Sequence, residues 1–297
     1  MADRGRALCA LALFPLRLVV QALVELVAFV ACVVVSLATA RGSPDTPLSA
    51  PLRAIVSHVV PPMARVLLWT VSVHVRVRGS RAPDARLFVC NHVSICDGFV
   101  LTAALGAPSF VAREAGLARL PIFGTIVAAM QCVFVDNESA SSRAGAARAI
   151  RDRLLSSGSW PPLAVFPEGR INPSAGRVHA NAPAVRRGPL AAADAGASPC
   201  AATEGETLLP FREGAFRAAV PCQPLLVRYP GSAVAAAPPA SLGEELALIG
   251  RLMLQLSTSC VLEFLPLYTP TAEERADPKL YCANVRAHML ERLRETT

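Results

Sequence analysis

Aromatic side chains are scarce in this chain, at 5% of 297 residues, and lysine is almost absent, Lys279 being the only one. A nucleic-acid surface needs rings interleaved with basic residues, and no stripe of that kind occurs, so nucleic acid is excluded as the expected partner. No paired C-x-x-C is present, which removes the usual ligand spacing of a structural zinc site. No G-x-S-x-G surrounds the serines, which removes the nucleophile elbow of a serine hydrolase. Arginine carries nearly all the positive charge, and with the alanine richness this reads as a compositional bias without functional content. The nine cysteines are scattered, several inside apolar runs (Cys9, Cys32, Cys132, Cys260), which suits buried thiols in a reducing compartment better than a disulfide framework.

What the chain has in plenty is apolar surface and positive charge. Hydrophobic residues make up 53% and the mean hydropathy is +0.43, high for a soluble protein and suited to a globular domain with a membrane-embedded part. The net charge of +7 and pI near 9.2 favour anionic partners such as a phospholipid surface or a phosphorylated substrate. Leu18 to Ala40 is broken only by Gln21, Glu25, Ser36 and Thr39. As a helix it extends roughly 34 Å, enough to cross a bilayer core. Arg4 and Arg6 precede it as in a signal peptide, but the run is too long for a typical signal core, so a retained anchor is expected. Arginines flank it on both sides, which leaves its orientation and a spanning or re-entrant course open. Residues 1–60 are expected to form this anchor with a Pro-rich linker, and residues 61–297 the main domain. A short apolar segment, Met63 to Val75, is expected to lie at the interface or on that domain, and Val71 to Arg78 alternates as a strand does.

Chemistry concentrates at Cys90-Asn91-His92-Val93-Ser94-Ile95-Cys96-Asp97-Gly98. The segment follows a short apolar strand, Leu87 to Val89, and leads into the helix-like run Phe99 to Leu101. Strand ends open into clefts in α/β proteins. Residues five apart on a regular helix lie roughly 140° apart, so His92 and Asp97 meet only if His92 stands in the turn before the helix and Asp97 in its first turns. Held so, the pair is the base and orienter that activate a hydroxyl. A lone His beside an Asp serves packing more often than catalysis, so the reading needs support from elsewhere in the chain.

That support comes in order. Leu120 to Ala129 reads as a helix, Gln131 to Asp136 as a strand, Ser141 to Leu155 as a surface helix and Leu163 to Phe166 as a buried strand. Leu225 to Tyr229 and Cys260 to Tyr268 follow as further strands, and alternation of this kind predicts a mixed α/β sheet flanked by helices. The strand at Leu163 runs into Pro167-Glu168-Gly169-Arg170, a turn in which Glu can accept from hydroxyls, Arg can pair with phosphate and Gly lets the backbone approach. Residues 171–208, rich in Ala, Gly, Ser and Pro and without periodicity, read as a flexible insertion. His179 inside it is given no catalytic role.

Together these segments resemble a known family. Asn91-His92 followed by Asp97 is similar to the N-H-x-x-x-x-D motif of the glycerolipid acyltransferases, and Phe166 to Arg170 to their F-P-E-G-T/R motif. Pro210 to Phe216, then Val220 to Pro224, resemble their F-K-x-G-A-F and V-P-V-x-P segments. Ser159-Trp160-Pro161, Leu226 to Pro230, Glu263 to Tyr268, Asp277 to Tyr281 and Asn284 to Arg286 point to the lysophosphatidylcholine acyltransferase branch. The resemblance covers roughly Val66 to Leu293. It implies transfer of an acyl chain from acyl-CoA, a co-substrate rather than a cofactor, to a lysophospholipid at a membrane surface, without a metal. By resemblance, His92 takes the hydroxyl proton and Asp97 holds the imidazole. Asp97 is needed because the helix N-terminus disfavours a positive charge on His92. Asn91, Ser94, Arg113, Glu168, Gly169 and Arg170 contact the substrates. The site is expected on the cytosolic face of the endoplasmic reticulum, or at the inner membrane of a bacterium. Glycerol-3-phosphate or lysophosphatidic acid is the alternative acceptor; a lipid-binding protein without catalysis and a hydrolase are the other readings. Two departures stand out: Asp136-Asn137 replaces the basic position of the family's middle motif, and residues 171–208 are long for the branch. No calcium-binding modules follow Arg294 in this sequence, so calcium regulation is not expected.

Overall fold

The computed structural model describes residues 2–39, 46–113, 121–136, 139–172, 208–230 and 241–295. Two helices come first, α1 (Ala2–Thr39) and α2 (Ala50–Thr70), and β1 (Val73–Arg78) follows directly. Then come β2 (Leu87–Cys90), α3 (Asp97–Leu105), β3 (Ser109–Arg113), α4 (Pro121–Ala129), β4 (Val133–Val135), α5 (Ala140–Leu155) and β5 (Leu163–Val165). A 3-10 turn (Glu213–Ala218) leads to β6 (Cys222–Arg228), α6 (Leu242–Met253), β7 (Thr258–Phe264), α7 (Ala272–Ala276) and α8 (Pro278–Glu295).

The strands form one seven-stranded sheet in the order β1-β7-β6-β2-β5-β3-β4. All neighbours are parallel except β6 and β7, so the sheet is mixed, as expected. Parallel strands covered on both faces read as continuous apolar runs. The three-strand centre fits: every residue of β2, β5 and β6 is buried. Val89 pairs with Val165 on one side and Pro224 on the other, so β2, β5 and β6 end at a common carboxyl edge. α3 starts at Asp97, whose charge suits a helix N-terminus. It stops at Gly106, which takes the left-handed C-cap at φ 81°.

The first helix reaches further than the apolar run from Leu18, starting at Ala2 and carrying Pro15 inside it. Its stretch Cys9–Ala38 is long and apolar enough to cross a membrane, with mean hydropathy 2.7. One stripe of it is buried: Ala28, Cys32 and Val35 pack with Val56, Val60, Met63 and Leu67 of α2. Leu11, Leu23, Val27, Val30, Val34 and Leu37 stay exposed. Arg17 fixes the helix to the sheet layer, because its Nη1 donates to the Met253 and Gln255 carbonyls at the end of α6, both at 2.6 Å. Most of residues 41–51, read as linker, lie outside the described residues or before α2; Ala50 and Pro51 already belong to that helix, where Pro suits the first turn. The short apolar segment from Met63 splits into the last turns of α2 and the start of β1. Residue 60, where the sequence suggests passage from anchor to domain, lies within α2. Of the insertion read at 171–208, residues 173–207, His179 included, lie outside the described residues.

Candidate active site

Three adjacent parallel strands deliver the site. β2 ends in the turn that carries His92, β5 ends in the turn that carries Glu168, and Tyr229 directly follows β6. His92 and Asp97 meet in the geometry their spacing demands, His92 in the loop before α3 and Asp97 as its first residue. His92 Nδ1 lies 2.9 Å from Asp97 Oδ2. The same oxygen accepts from the Val93 amide at 2.6 Å and the Ser94 amide at 2.9 Å, and Oδ1 accepts from the Tyr229 hydroxyl at 2.7 Å. Asp97 is fully buried, and four donors on two oxygens fit an ionised carboxylate, which can only accept. With Nδ1 taken, Nε2 is the nitrogen of His92 left to face a substrate. The ring stacks on Phe166 at 4.1 Å between centroids and 17° between planes, and Phe110 lies nearly parallel to Phe166 at 6.1 Å.

Asn91 is buried and ties strands together: its Nδ2 donates to the Val227 carbonyl at 2.9 Å and its Oδ1 accepts from the Val227 amide at 2.7 Å. Its amide therefore fixes the end of β2 against β6. Ser94 is buried too, and its hydroxyl accepts from the Cys96 amide at 3.2 Å, shaping the turn. Glu168 is 4% exposed. Its Oε1 accepts from the His92 amide at 3.0 Å, and its Oε2 from Asn172 Nδ2 at 2.7 Å and the Leu209 amide at 2.9 Å. Burial pushes its carboxyl up from the ordinary value, and the donors from Leu209, His92 and Asn172 pull it back. Gly169 adopts φ +69°, and a Cβ there would stand 2.6 Å from Arg212 Nε, so only glycine fits without strain. Arg170 is exposed immediately after that turn. Arg113 closes β3, whose parallel pairing with β5 sets it on the same edge of the sheet, and its side chain lies outside the described residues. Of the departing pair, Asp136 is exposed at the end of β4 and Asn137 lies outside the described residues.

Sequence alone does not mark Tyr229 and Asn172 as parts of the site, and it gives Phe166 no role beyond its motif. Tyr229 carried the same mark as His92 and Glu168, a polar residue where an apolar strand stops, and that mark identifies it once β6 is known to lie beside β2. An apolar cavity lies next to the His92 loop, lined by Ile95, Cys96, Phe99, Phe123, Leu67 and Leu252 among others.

A mixed sheet with a hydrogen-bonded imidazole and carboxylate at the carboxyl ends of its central strands defines the chain as an α/β protein. The family model described as Acyltransferase matches residues 74–229, which include His92, Asp97, Glu168 and Tyr229, and the chain belongs to this family. It is 31% identical over 245 residues to lysophospholipid acyltransferase LPCAT4 of Xenopus tropicalis, covering 81% of this chain and 41% of the relative. It is 29% identical over 291 residues to lysophosphatidylcholine acyltransferase 1 of Homo sapiens, covering 97% of this chain and 48% of that protein. The chain thus spans under half the length of these curated relatives. The crystal structure of the 1-acyl-sn-glycerophosphate (LPA) acyltransferase PlsC from Thermotoga maritima superposes with a TM-score of 0.49 at 17% identity, over 82% of this chain and 81% of that one.

Proposed function

We propose that the chain transfers a fatty acyl group from acyl-CoA to the free hydroxyl of a lysophospholipid, most directly lysophosphatidylcholine. The observation that carries this reading is the 2.9 Å contact between His92 Nδ1 and a buried Asp97 in a chain of the acyltransferase family. The names of the relatives supply the acceptor class. His92 Nε2 takes the hydroxyl proton as the oxygen attacks the thioester carbonyl. A C–O bond forms, the C–S bond breaks, and the imidazolium returns its proton to the departing CoA thiolate. Asp97 fixes the tautomer and stabilises the imidazolium. Attack is direct, so no acyl-enzyme is needed. Arg170 and Arg113 take the acceptor phosphate, and the apolar cavity beside Cys96 and Phe99 receives part of an acyl chain. The apolar face of α1, fixed to the domain through Arg17, holds the site at the bilayer where both substrates concentrate. The free cysteines among the described residues suit the reducing, cytosolic side of the endoplasmic reticulum.

The test compares membranes carrying wild type or His92→Ala, given labelled acyl-CoA with lysophosphatidylcholine, lysophosphatidic acid and glycerol-3-phosphate in turn. Wild type should form diacyl product with lysophosphatidylcholine, and His92→Ala should lose about 1,000-fold or more. Equal product from both proteins, or none from either although both are folded and membrane-bound, refutes the catalytic reading.

A further inference from the structure

Glu168 belongs to a turn whose resemblance suggests contact with the acceptor, yet its carboxylate points into the protein. It is 4% exposed, and three donors of the chain itself reach its two oxygens. Those donors are not a random set. One is the backbone amide of His92. The other two, Asn172 and Leu209, stand on either side of residues 173–207 and share Oε2. Asn172 also donates its own amide to the His92 carbonyl at 2.5 Å. The His92 peptide is therefore gripped at both ends, its N–H by Glu168 and its carbonyl by Asn172, and the ring closes through the Asn172–Glu168 bond. Beyond it, Arg286 of α8 holds the carbonyls of Leu208 and Leu209, at 2.6 and 2.9 Å. Leu209 is thus fixed from both sides, by the guanidinium on its carbonyl and the carboxylate on its amide.

We propose that Glu168 is a positioning residue: it knots the chain flanking residues 173–207 to the His92 peptide and so sets where the imidazole stands, instead of contacting the acceptor. The kinetic side of this inference rests on the acyltransferase reading above; the structural side does not. A carboxylate suits the task because charge-assisted bonds are stronger than neutral ones and one carboxylate can accept from several donors. A neutral amide of the same shape accepts at one end only and presents a donor to the others.

The experiment uses the purified full chain in detergent micelles, with Glu168→Gln as the first variant and Asn172→Ala as the second. Asn172→Ala removes one donor without burying a new group, so it keeps the test open should Glu168→Gln fail to fold. Two quantities are read: the split between kcat and acceptor KM, and amide hydrogen exchange at His92 and Leu209, the two peptide donors on the carboxylate. Glu168→Gln should lower kcat by about 100-fold, the scale of a displaced reacting group, with acceptor KM within about twofold of wild type. Exchange at both amides should rise at least tenfold. Asn172→Ala should move both quantities the same way by less. An acceptor KM raised tenfold or more with kcat kept and exchange unchanged makes Glu168 an acceptor ligand and overturns the proposal. Should wild type transfer no acyl chain, the acyltransferase reading fails on its own. The exchange measurement then decides alone: faster exchange upholds the knot, and unchanged exchange overturns it.

Discussion

Removing one oxygen atom, in Tyr229→Phe, isolates what holds Asp97. Tyr229 is buried, and among the described residues its hydroxyl, at 2.7 Å, is the donor on Asp97 Oδ1. Phenylalanine keeps the ring and its packing but leaves a buried carboxylate oxygen without its partner. An unsatisfied charged acceptor costs about 3 kcal/mol. For a chain of this size that lowers Tm by about 6–12 °C. Activity should suffer less. Oδ2 still receives the Val93 and Ser94 amides and still faces His92, so the imidazole keeps its tautomer and loses only fine alignment. A fall of about tenfold in kcat, or 1.4 kcal/mol, is expected. The effect has a pH signature. Burial first, then the negative charge of Asp97, holds the Tyr229 phenol well above its ordinary value. A group raised on folding lends stability that is complete below its unfolded pKa, near 10 for tyrosine, and is lost as pH climbs past it. The gap between wild type and Tyr229→Phe should therefore be full at pH 7–9 and narrow above about pH 10. Thermal melts and acyl-transfer rates on the two purified proteins check this. Equal Tm values at pH 7.5 with equal rates refute the reasoning, because they show that Oδ1 does not depend on the phenol.

Two further outcomes follow from the same geometry. Gly169→Ala forces a side chain into φ +69° and sets its Cβ against the Arg212 guanidinium. A loss of about 1–3 kcal/mol is expected, and a melt within 1 °C of wild type, on the order of the error of such shifts, contradicts it. Cys96, Cys132, Cys222 and Cys282 are each pushed up to about 12, and Cys90 and Cys260 are raised too, with burial the main cause in every case. Their contribution is intact below the ordinary thiol pKa and drains away above it, by about 1.4 kcal/mol per pH unit for each thiol. Urea midpoints should thus fall steeply between about pH 8.5 and 10.5, and Cys222→Ala should flatten the slope by one thiol. A midpoint that stays level to pH 10 refutes the buried-thiol account.

The sequence disclosed those parts of the site that depend on local spacing. His92 and Asp97 lie on one turn, so a strand before and a helix after were enough to place them face to face. β2, β5, β6 and β7 were legible as short apolar runs for the same reason. β3 is not legible in the sequence, because Ser109 is buried while Phe110, Val111 and Ala112 are all half-buried, and such a run carries no alternation to distinguish it from a loop. α8 is legible in the spacing of Tyr281, Val285 and Met289, which recur every four residues and form its buried face.

What spacing could not give is the order of strands. Asn91 meets Val227, Asp97 meets Tyr229 and Glu168 meets Leu209 only because β6 and β5 lie on either side of β2. Asn91, just past β2, bonds to the body of β6; Asp97, at the start of α3, bonds to Tyr229 just past β6; and Glu168, past β5, bonds to the chain that leads towards β6. The roles that resemblance assigned to Asn91 and Glu168 were those of ligands, because a motif records which residues stand together and not which way they face. Turned inward, the same residues form a frame around the His92 imidazole, whose Nδ1 is held by Asp97. On this arrangement most of the polar residues of the motifs hold the base in place. A variant of Arg170, exposed after the Gly169 turn, or of Arg113, which closes β3, should change acceptor preference rather than the fold, as acyl transfer to lysophosphatidylcholine and lysophosphatidic acid measured beside thermal melts would show.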